Sequence, residues 1–202
     1  SIDSKQIINS VESLIKKILS EEELENKQAL INSFRFLNWR VIPNVLPFLL
    51  SIEENLYADA AASLTLIIQN PDNFTFIISD LFRKFLTFLS MLQSYFVQLK
   101  INSPREIIWD EEHVALLQRH QDLCVNYCIL ISAAFNNIQD QISEEDFPLA
   151  SRQVLVKFLS HWAQLPNEFE RIQAYAINAL IPIIHAGTVY TEGFTFEMPM
   201  LE

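Results

Sequence analysis

The chain has 202 residues, a formal net charge of −11, and a composition that is 50% hydrophobic, with 15 Phe but only 2 Gly. Hairpins, tight turns and phosphate-cradling loops use Gly for positive φ, so its shortage argues against them and favours helices joined by short links. The excess of 25 acids over 14 Lys and Arg argues against a reader of phosphate backbones, which needs cations, and leaves no polybasic membrane patch.

In chain order, the first helical rhythm opens at Ser4, a candidate N-cap, with Ile7, Val11, Leu14, Ile15 and Ile18 recurring at helical spacing. Ser20 and Glu23 have the spacing of a capping box, and the acids at 21–23 suit the positive end of a helix dipole. That places a second helix up to about Leu37, with Leu30, Phe34 and Leu37 facing inward. In NWRVIPNVLPFLL, Pro43 fits a first turn, whereas Pro47 should shift or kink the helix start. A fourth helix is expected over about 56–69, where alanines allow close backbone approach, and NPDN at 70–73 reads as a turn.

A long apolar helix follows over about 74–100. Its core, FLTFLSMLQSYFV at 85–97, falls short of the ~20 apolar residues that cross a bilayer, so it reads as buried in protein. NSPRE at 102–106 breaks the pattern before one long helix over about 110–137, opened by Asp110, Glu111 and Glu112. QDQISEEDFP closes it. Two more helices, about 148–163 and 167–186, are separated by Pro166, and the tail has no helical period.

About eight helices, several as antiparallel pairs, give an all-α fold: a HEAT/armadillo-like α-solenoid segment whose repeat is degenerate, since no strict period is present. One closed helical bundle is the alternative. Residues 1–202 read as a single helical-repeat segment, with 1–100 supplying the first helical pairs and 101–202 a second helical group. With no signal peptide and no initiator Met, the chain reads as excised from a much larger protein.

His120, Cys124 and Cys128, at i, i+4 and i+8, form the one metal-like set. Neighbours could share a zinc ion, but ~12 Å of helical rise separates the first from the last. A fourth ligand would have to come from His113, His161 or His185, with no supporting spacing. Two small thiols packed in a core is the plainer reading, and it suits a reducing, cytoplasmic compartment. A Cys–His nucleophile needs a stabilised, accessible thiolate, and Cys124 and Cys128 sit among Leu, Val, Tyr and Ile. Glu111-Glu112 and Glu144-Glu145 are explained by helix starts and solvated loops rather than by acid–base chemistry. His161 ends a helix, where the dipole favours an imidazolium, with no acid or nucleophile within a turn. No phosphate loop, dinucleotide fingerprint or HExxH motif appears, so no catalytic residue, cofactor or metal is expected. The candidate contact regions for basic protein partners are the acidic runs 109–112 and 143–146, the latter including Glu144, Glu145 and Asp146.

FPLASRQVLVKFLSHWA, followed by RIQAYAINALIPIIHAGTVY, resembles the Furry family of cell-morphogenesis scaffolds. Phe147, Pro148, Arg152, Trp162, Arg171, Gln173, Tyr175, Ala179 and Gly187 fit that family's outline. Upstream, ALINSFRFLNWRVIPNVLPFL resembles another block of the family, in the same order, although Ser33 and Arg35 stand where the family has small glycines. The resemblance runs from about residue 26 to the end. It implies a non-enzymatic scaffold segment that supports an NDR-type kinase and its Mob co-activator in polarised growth and cell separation, at the cell cortex. It transfers no catalytic residues and no kinase-contact motif. Two other readings stand beside it: a generic HEAT-like transport or cargo adaptor, and an enzyme using the Cys124/His120 face.

Overall fold

The structure, a computed structural model, describes residues 4–37, 41–69, 79–102, 110–137 and 143–188. These residues form nine α-helices and no strand: α1 (Ser4–Ser20), α2 (Leu24–Asn32), α3 (Ile42–Leu49), α4 (Tyr57–Ile68), α5 (Ser79–Gln98), α6 (Glu111–Arg119), α7 (Gln121–Asn137), α8 (Leu149–Ala163) and α9 (Glu170–Thr188). Short 3₁₀ turns at Ser33–Phe36, Glu54–Leu56 and Asn167–Phe169 follow α2 and lead into α4 and α9. The expected turn at 70–73, the start of the 74–100 helix and most of the 102–106 break lie outside the described residues.

Three expectations are corrected. The single helix over 110–137 is two. His120 leaves helical geometry at φ −104° and ψ 13°, and its ring stands edge-on to Tyr95 of α5 at 6.2 Å. The break coincides with a change of surroundings, from α6 with only His113 and Leu117 buried to α7 with ten buried residues. The capping box does not form either, because Ser20 is still in the last turn of α1 and its hydroxyl donates to the Lys17 carbonyl at 3.1 Å. The Glu21 carboxylate instead accepts from the Glu22 and Glu23 N–H groups at 3.2 and 3.3 Å, and the N-cap Glu23 makes no side-chain cap bond. Pro43 does occupy the first turn of α3, but Pro47 is carried inside that eight-residue helix rather than shifting its start.

The arrangement of helices follows from a few anchors. The Asn126 carboxamide donates to the Ala58 carbonyl at 3.4 Å, and that of Asn137 to the Ile68 carbonyl at 3.3 Å. These pairs are separated by 68 and 69 residues, so α4 and α7 run parallel in constant register. Ala60 and Ala61 on one helix and Ala134 on the other are fully buried, and their small side chains permit the close approach. Helix α9 lies along the other side of α7, tied near its start by Arg171 to Asp122 at 3.1 Å. On the far side α2 meets α4, with the Ser63 hydroxyl donating to the Ile31 carbonyl at 2.9 Å. Helices α2, α4, α7 and α9 thus form one row.

Parallel neighbours need a helix that returns the chain between them. Helices α5 and α8 supply that return, and they pack on each other through Phe96, Phe158 and Trp162, with ring centroids 4.9–5.9 Å apart. Contacts of α1 with α3 and of α3 with α5 extend this second row. The α5 face that fills the space between rows is Phe82, Phe85, Phe88, Leu89, Leu92 and Phe96, all buried at helical spacing. One apolar cluster runs from Val11 to Ile183, so the two groups expected over 1–100 and 101–202 share a core.

The end of α5 carries the one positive φ among described non-Gly residues, Lys100 at 60°. The Ile101 N–H reaches back to the Phe96 carbonyl at 3.1 Å and that of Lys100 to Val97 at 3.0 Å, the paired bonds of a Schellman turn. Ile101 and Asn102 are then buried; the Asn102 carboxamide donates to the Phe158 carbonyl at 3.1 Å, and the Trp162 indole N–H donates to the Ile101 carbonyl at 3.1 Å. Trp162 is fully buried, and its ring partners are Phe96 of α5, Tyr127 of α7 and Phe158 of its own helix.

Two outcomes check this. Truncating Trp162 to Ala should cost about 3–5 kcal/mol in urea unfolding, the range for large aromatics removed from cores. Replacing Lys100 with Gly should stabilise by about 0.5–1 kcal/mol, because relief of the left-handed backbone, ~1–2 kcal/mol, exceeds the extra chain entropy Gly brings to the unfolded state. A destabilised Lys100→Gly protein would contradict that geometry.

Candidate functional site

Cys124 and Cys128 lie on the buried side of α7, both free and at 0% exposure. Burial pushes both thiols well above their ordinary range, which holds them as the unreactive thiol. His120 sits at the break before α7 with its ring against Tyr95, and burial holds its pKa below 6.5. Among the described residues no three His, Cys, Asp or Glu side chains gather where a metal ion could bind. The thiols therefore pack as core residues, and the Cys124/His120 face lacks the accessible thiolate that nucleophilic chemistry needs.

The two other described histidines are close enough to influence each other. His113 on α6 is 7% exposed, and burial lowers its pKa against the opposing pull of Asp110. At His161 on α8, burial first and then the charge of His113 lower the pKa, so burial overrides the helix-end preference for an imidazolium. The side chain of His185 lies outside the described residues.

The acidic runs sit at helix starts. Asp110 is the N-cap of α6, and its carboxylate accepts the His113 N–H at 2.8 Å, with Glu111 and Glu112 in the first turn. In the other run, Asp146 pairs with the Ser143 hydroxyl at 2.8 Å, while Glu145 stands 3.9 Å from Arg83 across exposed surface. Of the residues that carry the Furry-like outline, Phe147, Arg152, Trp162 and Ala179 are buried packing groups, whereas Pro148 and Arg171 are exposed. Phe147 is enclosed by Phe82 and Phe135, and the fully buried Arg152 lays its guanidinium 5.1 Å over the Phe147 ring and donates to the Phe147 carbonyl at 3.4 Å.

Sequence reasoning missed a cleft of about 320 Å³ on the row of parallel helices, formed by Gln69 at the end of α4, Ile129, Ser132 and Asn136 on α7, and Tyr175 and Asn178 on α9. Its residues span more than a hundred positions, so no local motif marks them; the adjacent Asn136 and Asn137 were the available signal.

Comparison with protein-family models, curated proteins and solved structures returns no match to this chain. The class defined by the structure is an all-helical protein in which no described helix is long and apolar enough to cross a membrane.

The histidines give a signed pH dependence. Their pKa values are held below the ordinary 6.5, so below that pH the unfolded chain takes up more protons than the folded one. Stability is full above about pH 6.5 and falls as the pH drops through the unfolded value toward the folded ones. Urea midpoints at about pH 7.5 and 5.5 should differ in that direction beyond the contribution of the carboxylates, and His161→Gln should reduce the difference.

Proposed function

We propose that this chain is a stretch of α-solenoid of HEAT or armadillo type that serves as a non-enzymatic scaffold segment of a Furry-like cell-morphogenesis protein. It would support an NDR-type kinase and its Mob co-activator in polarised growth and cell separation, in the cytoplasm at the cell cortex. The observation that carries the solenoid half is the pair of rows, with parallel helices in one and the returning helices in the other. In such a stack each added unit extends the core without closing it. The ordered Furry-like blocks at 29–49 and 147–190 support the partner half.

An acidic surface suits basic segments of a partner through electrostatic steering. The exposed turn at 143–146, between α7 and α8, is a candidate contact. The test is co-precipitation of an NDR kinase and a Mob protein with the protein that carries this segment. Reversing the charges of Glu144, Glu145 and Asp146 should weaken recovery, with a shallower salt dependence if that turn is in the contact. Recovery of a small GTPase in place of the kinase would favour a cargo adaptor, and recovery of neither would overturn the scaffold reading.

A further inference from the structure

The cleft between α4, α7 and α9 has a lining that selects a chemistry. None of the residues that form it is ionisable near neutral pH; Gln69, Asn136, Asn137 and Asn178 bring four carboxamides, and Ser132 and Tyr175 bring hydroxyls, around an apolar patch from Ile129. A carboxamide offers one acceptor and two donors, the complement of a peptide unit. Asn137 is already committed, since its Nδ2 donates to the Ala133 carbonyl at 2.8 Å as well as to Ile68, which clamps the ends of α4 and α7 together. Asn136 likewise donates to the Ser132 hydroxyl at 3.2 Å. The hydrogen-bonding groups left to a ligand are chiefly those of Gln69, Tyr175 and Asn178.

Three features make the cleft electronegative. Helices α4 and α7 both end here, and the C-terminal end of a helix carries roughly half a negative charge. Neither helix has a basic residue in its last turn to offset it. Pro182 inside α9 has no N–H for the carbonyl four residues back, that of Asn178, so an additional main-chain acceptor belongs to a residue that lines the cleft. The chain as a whole adds its net charge of −11. A ligand that satisfies this site brings donors and positive charge. Neutral sugars share the hydrogen-bonding groups but gain nothing from the helix ends, and anions are repelled.

We propose that this cleft binds an extended basic segment of a partner protein, with peptide units on the carboxamides of Gln69 and Asn178 and a Lys or Arg side chain directed at the ends of α4 and α7. The volume, about 320 Å³, is at the lower end for ligand sites and holds one long side chain with its flanking peptide units. This deepens the scaffold reading and rests on it, by giving that scaffold a place to grip a basic tail.

The probe is a blocked heptapeptide, acetyl-Ala-Lys-Ala-Arg-Ala-Lys-Ala-amide, titrated into the intact chain while the side-chain amide signals of Gln69 and Asn178 are followed by NMR. A saturable shift of those signals is expected, weakened by added salt. A peptide with Glu at the basic positions should give none, and one N-methylated along its backbone should bind about tenfold more weakly. Asn178→Leu should abolish the response, and Pro182→Ala, which returns an N–H to the Asn178 carbonyl, should weaken it several-fold; circular dichroism checks that both variants stay folded. Equal shifts with the Glu peptide or with maltose, or a response untouched by Asn178→Leu, would overturn the proposal. The two readings fail separately. A flat titration removes the cleft whatever the kinase does, and an absent kinase removes the scaffold reading while the titration stands.

Discussion

The rest of the structure depends on one hydrogen bond inside one aromatic cluster: the Trp162 indole N–H to the Ile101 carbonyl, with the ring set against Phe96, Tyr127 and Phe158. An indole buried this completely must find an acceptor or forfeit about 1–3 kcal/mol. The acceptor is available because Lys100 turns the chain out of α5 through a left-handed residue and aims the Ile101 carbonyl at α8. The same turn buries Asn102, whose carboxamide holds the Phe158 carbonyl. Two side chains and one strained residue therefore fix α5 against α8, and Tyr127 extends the cluster to α7. The Tyr127 hydroxyl, fully buried, is met by Gln93 at 2.7 Å, so the cluster has polar partners on more than one side.

The other row is held differently. Between α4 and α7 the small side chains of Ala60, Ala61 and Ala134 are fully buried, and carboxamides at the edges donate from α7 to carbonyls of α4. Small residues bring helix axes close but give little register of their own. The asparagines supply it, because a donor placed a residue too far along would miss its carbonyl. The division of labour is physical: aromatics fill the wide space between rows, and alanines with asparagines set the narrow spacing within one.

Arg152 shows how a charged side chain can serve as a packing group: it has no exposure and lies over Phe147. Such a guanidinium joins the start of α8 to the turn before it. His161, in the same stretch, is held neutral more readily than an exposed imidazole, which fits a packed layer better than proton chemistry.

The sequence by itself determined the helical class, most helix spans and much of the core. Two glycines in 202 residues and an apolar rhythm of helical period leave few alternatives, and Val11, Ile18, Phe34 and Phe96 are buried where that rhythm places them, while Leu30 and Leu37, also expected inward, are only half-buried. It also marked Asp110 as an acid at a helix start, since capping is local chemistry between residues three apart. Only the tertiary structure decided the break at His120, which coincides with the contact to Tyr95 across α5, and the failure of Ser20 as a cap, where α1 claimed its hydroxyl first. The partners of Trp162 and the parallel course of α4 and α7 were also beyond sequence reasoning. They rest on contacts 35 to 69 residues apart that no helical period encodes. The cleft is the extreme case: its chemistry is written in ordinary polar residues, and only the parallel stacking of three helices brings them to one place.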